Sequence, residues 1–478
     1  MLRARGVAVA CLLLAVAEVA SASPDDLATR LKAAIAVNAL EGARVSVYVV
    51  NLGDGAVRFG HHPDRALIPA SNMKILTALA ALSMFGPTHR FETELYADAA
   101  PGLDGEIEVL GVRGGGDPAL TSEQWWRLAA DLRLLGIRRI KRGLLLDATQ
   151  FDSELWHPTW GVISARAYNA PIDALNANYG AYGISVQAGA RAGEPVRVVI
   201  DPPVAHLRLV NRAKTVESRA KAELILDRRA VDGGEEVVVS GSVQAGADLA
   251  TRYRSVLDPV RYAGSVLRMQ LEANGIEVGP QTRVGAVGGE MTLLDSFEGM
   301  PLAQTISLFL KYSNNAIGET LVKAMGRHRQ ELLATTGDPP GTWSNGMAAM
   351  QRELAELGVD LTAMVVSDGS GLSYENRLSP VALVSALRVA SDSFRFGSEF
   401  QAALPIAAAD GTLQERATAA AEQVRAKTGL LTRVTALSGY AIDANGERLV
   451  FSILVEGFRK GAAAAMNAVD AIVLELTR

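Results

Sequence analysis

The two ends of this 478-residue chain carry matching patterns, and this symmetry restricts its fold more than any other feature. Each end combines one helical run with two alternating, strand-like runs joined by a glycine turn. The segments are residues 25–40, 44–51 and 56–60 at one end and residues 434–442, 449–455 and 462–476 at the other. Because a two-stranded hairpin is marginally stable alone, we expect both ends to share one antiparallel sheet covered by helices.

The middle of the chain has a different pattern. From about residue 89 to residue 289, short alternating runs punctuated by glycine and proline predominate, interrupted by helical patterns at residues 122–135 and 258–274, and after residue 289 helical patterns predominate again. We therefore expect a discontinuous core domain interrupted by two strand-rich inserted domains. The expected division is residues 23–95 with 290–478 for the core, residues 96–165 with 241–289 for domain II, and residues 166–240 for domain III.

Composition excludes several classes of protein. The chain is 49% hydrophobic and 21% charged, which is typical of a globular protein and not of a disordered or collagen-like one. Its 47 basic and 52 acidic residues give a net charge of -5. Such a chain lacks the broad positive field that binds phosphate backbones, so we expect no nucleic acid partner.

The first residues predict export. Arg3 and Arg5 precede an apolar run at residues 7–17, and Ala20-Ser21-Ala22 is typical of a cleavage site. We expect a signal peptide over residues 1–22, cleaved near Ala22, and a periplasmic product. No later run of 18 apolar residues predicts a transmembrane anchor in the mature chain.

Cysteine and histidine usage argues against metal or thiol chemistry. The single cysteine, Cys11, lies inside the predicted signal peptide, so the mature chain is expected to have no disulfide, thiolate nucleophile or cysteine zinc site. Among the six histidines only His61 and His62 are neighbours, and no carboxylate stands at metal-ligand spacing from them. We expect neither a metal nor a cofactor.

Ser71 and Lys74 lie three residues apart at the start of an apolar run, residues 75–85. On a helix these positions share a face, so the hydroxyl and the amine can approach hydrogen-bond distance. A lysine can take the proton of a hydroxyl only when its amine is neutral, and burial or a second cation lowers its pKa. The alternative is a serine N-cap followed by a solvated lysine.

Two later clusters can complete a nucleophilic site. The Ser313 hydroxyl could relay a proton and the Asn315 amide could orient a carbonyl, although alone this pair is more simply a helix N-cap. The run Lys427-Thr428-Gly429 offers a charge, a hydroxyl and unhindered backbone to a substrate carboxylate at a strand edge. Its alternative is an edge-strand lysine that limits aggregation. The three motifs in this order are stronger than any one alone.

The ordered set Ser-x-x-Lys, Ser-x-Asn and Lys-Thr-Gly resembles the class C low-molecular-mass penicillin-binding proteins, which are D-alanyl-D-alanine carboxypeptidases and endopeptidases. Further matches lie at residues 114–118, 168–171, 367–373 and 437–440. The resemblance covers nearly the whole mature chain. It implies an α+β fold: a penicillin-recognising, β-lactamase/transpeptidase-like domain with a five-stranded antiparallel sheet and helices, and two strand-rich domains inserted between the first and second motifs.

The same resemblance implies the roles of the acylation residues. Ser71 corresponds to the acylated nucleophile and Lys74 to its base. Ser313 and Asn315 correspond to the proton relay and the substrate-orienting amide. The implied substrates are peptidoglycan peptides and β-lactams.

The resemblance also implies a binding site for substrate. Lys427 and Thr428 correspond to the groups that hold the terminal carboxylate. The main-chain N–H groups of Ser71 and Leu430 correspond to the oxyanion hole, and each such donor can lower the barrier by about 3 to 4 kcal/mol. Gly429 leaves the backbone accessible.

Two other functions share parts of this pattern. A serine β-lactamase would use the same acylation residues, but the sequence has no Glu-x-x-Leu-Asn segment to activate a deacylating water. A non-catalytic peptidoglycan-binding protein would not need all the motif residues intact. One departure stands out: after residues 367–373 the family usually carries an arginine, where this chain has Tyr374 and its next arginine is Arg377.

Overall fold

The computed structural model describes residues 24–333 and 339–478. The predicted signal peptide, residues 1–22, lies outside the described residues. The α-helices are α1 (Pro24–Ile35), α2 (Met73–Phe85), α3 (Ser122–Leu134), α4 (Pro259–Ala273), α5 (Leu302–Tyr312), α6 (Asn315–Leu332), α7 (Trp343–Glu356), α8 (Pro380–Asp392), α9 (Gly397–Ala403) and α10 (Ala462–Leu476).

The strands form two terminal groups and a long middle group along the chain. They are β1 (Arg44–Asn51), β2 (Val57–His61), β3 (Glu92–Ala97), β4 (Glu106–Gly114), β5 (Arg139–Asp147), β6 (Ala181–Gln187), β7 (Arg197–Asp201), β8 (Leu207–Asn211), β9 (Lys214–Val216), β10 (Leu224–Val231), β11 (Gly234–Gln244), β12 (Ala250–Ser255), β13 (Glu277–Val278), β14 (Gln281–Val284), β15 (Thr292–Glu298), β16 (Val424–Leu431), β17 (Val434–Ile442) and β18 (Arg448–Glu456).

Both chain ends build one five-stranded antiparallel sheet, in the order β16-β17-β18-β1-β2. The register places Arg44 opposite Glu456. Successive side chains of β1 point to opposite faces, and both faces are covered: Val47 and Val49 join a core with α1 and α10, whereas Val50 joins the core around α2. The predicted α+β fold with a five-stranded antiparallel sheet is confirmed.

Helix α2 is the centre of the larger core. Ten of its 13 residues, Met73 to Leu82, are buried, because apolar side chains cover its whole circumference. It packs against α5, α6, α7 and α8. The residues just before it are therefore held rigidly at the boundary between the helical core and the sheet.

An inserted region, residues 92–298, contains the other strands. A six-stranded sheet has the order β13-β5-β4-β3-β15, with β14 also paired to β5. A three-stranded sheet, β12-β6-β7, and a four-stranded sheet built on β10, β11, β8 and β9 complete the region. Strands β3 and β15 pair with each other across the expected boundaries near residues 95 and 290. The division into two inserted domains stays a prediction.

Over residues 24–333 and 339–478, no helix combines the length and the apolar character needed to cross a membrane.

Candidate active site

Ser71 lies in a 3-10 turn, Ala70–Asn72, that runs directly into α2. Ala70 has a φ of +46°, a left-handed conformation that is strained for a residue with a β-carbon. The backbone of Gly371 lies against this turn, since a β-carbon built on Gly371 would stand 1.9 Å from the Ala70 carbonyl oxygen. Gly371 itself has a φ of +79°. Glycine is therefore required there both by conformation and by space.

The Lys74 amine contacts three other segments of the site. Its Nζ lies 3.1 Å from Ser71 Oγ, 2.7 Å from Asn315 Oδ1 and 2.6 Å from the Ser370 carbonyl oxygen. Neither α2 nor the turn before it uses the Ser71 side chain as a cap. The hydroxyl predicted as a nucleophile and the amine predicted as its base are thus within hydrogen-bond distance.

The Lys74 side chain is completely buried. Burial lowers its pKa from the ordinary lysine value to about 7, although the negative charges of Asp368 and Glu319 oppose this shift. A substantial fraction of the amine is therefore neutral near neutral pH. In that form it can accept the proton of a serine hydroxyl.

Two buried carboxylates beside Lys74, Glu319 and Asp368, were not among the site residues predicted from the sequence. Glu319 accepts hydrogen bonds from the main-chain N–H groups of Gly369 and Ser370, at 3.1 and 2.8 Å, and from Trp343 Nε1 at 2.9 Å. Burial, together with the nearby charge of Asp368, raises the pKa of Glu319. Its signal in the sequence was its position four residues after Asn315, which puts both side chains on one face of α6.

Asp368 organises the loop that carries the Ser370 carbonyl. Its two oxygens accept from the N–H groups of Gly371 and Ser373, both at 2.8 Å, and from Asn376 Nδ2 at 2.8 Å. This loop is the segment 367–373 that supported the family resemblance. Its closed hydrogen-bond network fixes the carbonyl that holds Lys74.

Ser313 and Asn315 lie at the junction of α5 and α6. Ser313 ends α5 with a φ of +58°, and Asn314, not Ser313, caps α6 by accepting a hydrogen bond from Ile317 N. The Ser313 hydroxyl is therefore free of a capping role and is directed to Lys427, whose Nζ lies 2.9 Å away. Asn315 donates to the Tyr168 carbonyl and accepts from Lys74, so its amide orientation is fixed.

Lys427, Thr428, Gly429 and Leu430 lie on β16, which is an edge strand of the five-stranded sheet. Lys427 is completely buried and donates to Ser313 Oγ and to the Thr428 carbonyl. Lys427 is therefore not a solvated lysine that limits aggregation at the edge of the sheet. Burial and the positive charge of Lys74 lower its pKa well below the ordinary value.

The rest of β16 leaves one edge open beside Ser71. Asn72 Nδ2 donates to the Lys427 carbonyl at 3.0 Å and ties the nucleophile turn to the strand. Leu430 is 49% exposed, and a β-carbon on Gly429 would approach the Pro69 carbonyl to 2.9 Å. The structure thus brings every predicted site residue into one cleft. Among the residues that the structure describes, no cluster of potential metal ligands is found.

A model of the D-Ala-D-Ala carboxypeptidase 3 (S13) family matches residues 27–478 of the chain. The chain belongs to this family. The resemblance drawn from the motifs is thereby confirmed, and this S13 chain is a serine-type D-Ala-D-Ala carboxypeptidase.

Curated relatives agree with the family assignment. The S13 chain is 35% identical over 479 residues to a D-alanyl-D-alanine carboxypeptidase of an Actinomadura species, covering 97% of this chain and 86% of that protein. It is 26% identical over 443 residues to the D-alanyl-D-alanine carboxypeptidase DacB of Haemophilus influenzae, covering 88% and 87%. The crystal structure of penicillin binding protein 4 (dacB) from Haemophilus influenzae matches with a TM-score of 0.77 at 24% identity, covering 95% of this chain and 98% of that one. The fold of the two proteins is therefore the same.

Proposed function

We propose that this enzyme hydrolyses the D-Ala-D-Ala bond of peptidoglycan stem peptides, and the D-alanyl cross-links between them, through an acyl-enzyme on Ser71. The observation that carries this proposal is the 3.1 Å contact between Ser71 Oγ and a buried Lys74 amine. A residue 1–22 signal peptide and a periplasmic location belong to the same proposal, because the substrate is a cell-wall polymer.

Acylation begins when the neutral Lys74 amine takes the hydroxyl proton of Ser71. The oxygen attacks the carbonyl carbon of the penultimate D-alanine, and negative charge develops on the carbonyl oxygen. The main-chain N–H groups of Ser71 and Leu430 would stabilise that charge. The Asn315 amide, fixed between Lys74 and the Tyr168 carbonyl, orients the substrate backbone.

The leaving amine needs a proton as the C–N bond breaks. Ser313 Oγ can donate one and recover another from Lys427, because Lys427 Nζ lies 2.9 Å from it. Lys427 and Thr428 bind the carboxylate of the terminal D-alanine. That negative charge favours a protonated Lys427, which opposes the effect of its burial. Exchange with water then removes the Ser71 proton from Lys74 and returns one to Lys427, so that Lys74 is neutral again. A water attacks the carbonyl carbon of the acyl-enzyme, Lys74 takes the proton of that water, and the same proton passes to Ser71 Oγ as the ester C–O bond breaks.

A labelled penicillin tests the proposal. We expect the wild-type enzyme to form a stable adduct and Ser71→Ala to form none, with nearly unchanged thermal stability, because Ser71 has no capping role. Ser83→Ala, a serine near the other end of α2, is the matched control and should label normally. Rapid turnover of the penicillin would indicate a β-lactamase instead, and undiminished labelling of Ser71→Ala would refute the assignment.

A further inference from the structure

A cavity of about 680 Å³ adjoins the active site on the side of Ser313. Its walls come from the α5–α6 junction on one side and from the inserted region on the other. Its lining includes two acidic residues, three tyrosines and the motif serine: Glu123, Asp201, Tyr168, Tyr253, Tyr312 and Ser313. The roles assigned to Ser313 and Asn315 give no function to the inserted residues that face this space.

The position of Ser313 relates the cavity to one side of the scissile bond. Under the proposed function, on which this inference rests, Ser313 passes a proton to the departing nitrogen. A group that protonates the leaving amine must contact it. The cavity shares a wall with Ser313, and neither Lys74 nor Ser71 is among its lining residues. It is therefore open to the leaving half of the substrate.

The volume of the cavity exceeds what a carboxypeptidase needs. The leaving group of a carboxypeptidase is one D-alanine, whereas cavities of roughly 300 to 1,000 Å³ enclose ligands of several hundred daltons. Cutting a cross-link releases a much larger group: the side-chain amine of a diamino acid that carries its own stem peptide. The size of the cavity fits this second leaving group.

The side chains that line the cavity suit a leaving peptide that carries a free amine. Tyr168, Tyr253 and Tyr312 are 49, 62 and 67% exposed, so their rings can pack on amide planes and aliphatic segments. Glu123 and Asp201 are exposed carboxylates, and no lysine, arginine or histidine is among the described residues that line the cavity. The walls favour the ammonium group that the released amine becomes.

We propose that this cavity binds the amine-bearing stem peptide displaced when the enzyme cuts a cross-link. In this step Ser71 Oγ bonds to the D-alanyl carbonyl carbon and the C–N bond of the cross-link breaks. The nitrogen leaves with a proton delivered through Ser313 and enters the cavity as a free amine. The inserted region thereby contributes part of the substrate site for endopeptidase action.

Two purified substrates separate this inference from the proposed function. One is a pentapeptide ending in D-Ala-D-Ala, whose leaving group is a single residue, and the other is a D-alanyl cross-linked muropeptide dimer. We expect Tyr253→Ala, and the double variant Glu123→Gln/Asp201→Asn, to lower kcat/KM for the dimer about tenfold. The same variants should label normally with penicillin and change kcat/KM for the pentapeptide less than about twofold.

Two variants outside the cavity are the matched controls. Phe394→Ala removes an exposed aromatic ring between α8 and α9, outside the inserted region, and Asp248→Asn neutralises an exposed acid within the inserted region. Both should cleave the dimer at the wild-type rate. Equal dimer cleavage by the cavity variants and the wild type would overturn the inference, as would a wild-type enzyme that cleaves the pentapeptide but not the dimer. Loss of penicillin labelling in the wild type would instead refute the proposed function itself.

Discussion

At the scale of single residues, the proposed reaction depends on the charge of Lys74. In that proposal the neutral amine accepts the Ser71 proton, and burial lowers the Lys74 pKa to about 7. We expect the rate constant for acylation by penicillin to rise with pH. It should reach half of its maximum at a pH near that pKa and level off at higher pH. Acylation measured in buffers across the neutral range checks this.

A variant tests the assignment of that titration. Lys74→Arg places a guanidinium that stays protonated at all these pH values, so acylation should fall about a thousandfold and lose its rising limb. A wild-type profile that is flat through neutrality would contradict the proposed role of Lys74.

Tyr374 stands where the family usually carries an arginine, which the family resemblance implies binds the polar end of the substrate's diamino-acid side chain. Its side chain is 47% exposed, and its Oη accepts a hydrogen bond from the main-chain N–H of Thr432, 3.1 Å away, just beyond β16. Arg377 Nη1 donates to the carbonyl oxygens of Tyr374 and Asn376, at 2.7 and 2.8 Å. The Arg377 guanidinium is thus engaged by its own loop.

Because a tyrosine hydroxyl cannot form a bidentate pair with a carboxylate, we expect weak selection of the diamino acid in the substrate. The enzyme should discriminate less than about tenfold between diaminopimelate and lysine peptides, and Tyr374→Arg should raise that preference. Comparison of kcat/KM for the two peptides measures it. A wild-type preference of about a hundredfold for the diaminopimelate peptide, lost in Arg377→Ala, would show instead that Arg377 binds the carboxylate of the diamino acid.

At the scale of elements, α6 positions the loop that holds Lys74. Glu319 on this helix accepts from the N–H groups of Gly369 and Ser370, and the Ser370 carbonyl in turn accepts from Lys74. The charge of Glu319 also raises the pKa of Lys74. One buried side chain therefore sets both the position and the charge of the base.

Glu319→Gln separates these effects from a merely structural role. The amide NH₂ of glutamine would face the main-chain N–H groups of Gly369 and Ser370, and two donors cannot pair. The loop that contains these residues would be displaced, so we expect acylation to slow about tenfold. Removal of the negative charge should also move the pH midpoint of acylation downward, since it no longer supports the protonated lysine. Glu331→Gln, near the exposed end of the same helix, is the control. An unchanged midpoint would show that Glu319 acts on stability alone.

Local patterns predicted the elements that build the catalytic sheet. The predicted bounds 44–51, 434–442 and 462–476 coincide with β1, β17 and α10, because continuous apolar runs and glycine turns define them. The apolar pattern of α6 covers residues 316–325, but the helix continues to Leu332, since its last turns are charged and face solvent. Strand β15 was not predicted, because its pairing with β3 depends on a distant segment.

The residues of the candidate site also divide into those that local patterns predict and those that depend on distant segments. The seven residues of the three motifs could be predicted because short spacings encode them, and Leu430 was predicted only from the family resemblance. The burial of Glu319 could not, because it depends on Trp343 and the loop at 369–370 meeting it from other parts of the chain.

At the scale of the whole molecule, Lys323 joins α6 to the inserted region. Its completely buried Nζ donates to Asp152 Oδ1 and to the Glu154 carbonyl, both at 2.6 Å. The same Nζ lies 3.9 Å from the centre of the Trp343 ring. Without its partner this ammonium would be an uncompensated buried charge.

Asp152→Ala should therefore lower the free energy of unfolding by about 2 to 3 kcal/mol, measured by urea denaturation. Adding Lys323→Met should restore much of that loss, because it removes the unpaired charge. Glu356→Ala breaks an exposed pair with Arg352 and should cost less than about 1 kcal/mol. No difference between the two single variants would rule out this link between the regions.

The pairing of β1 with β18 also orders events during synthesis. Strand β1, which starts at Arg44, is made well before its partner β18, because Arg44 and Glu456 lie 412 residues apart. Contacts so far apart in sequence form slowly, and here they cannot form until β18 has been made. The inserted region, which is contiguous in the chain, can fold first. A chain that stops before β16 therefore carries Ser71 without the edge strand that lies beside it, and we expect no acylation by penicillin from such a chain.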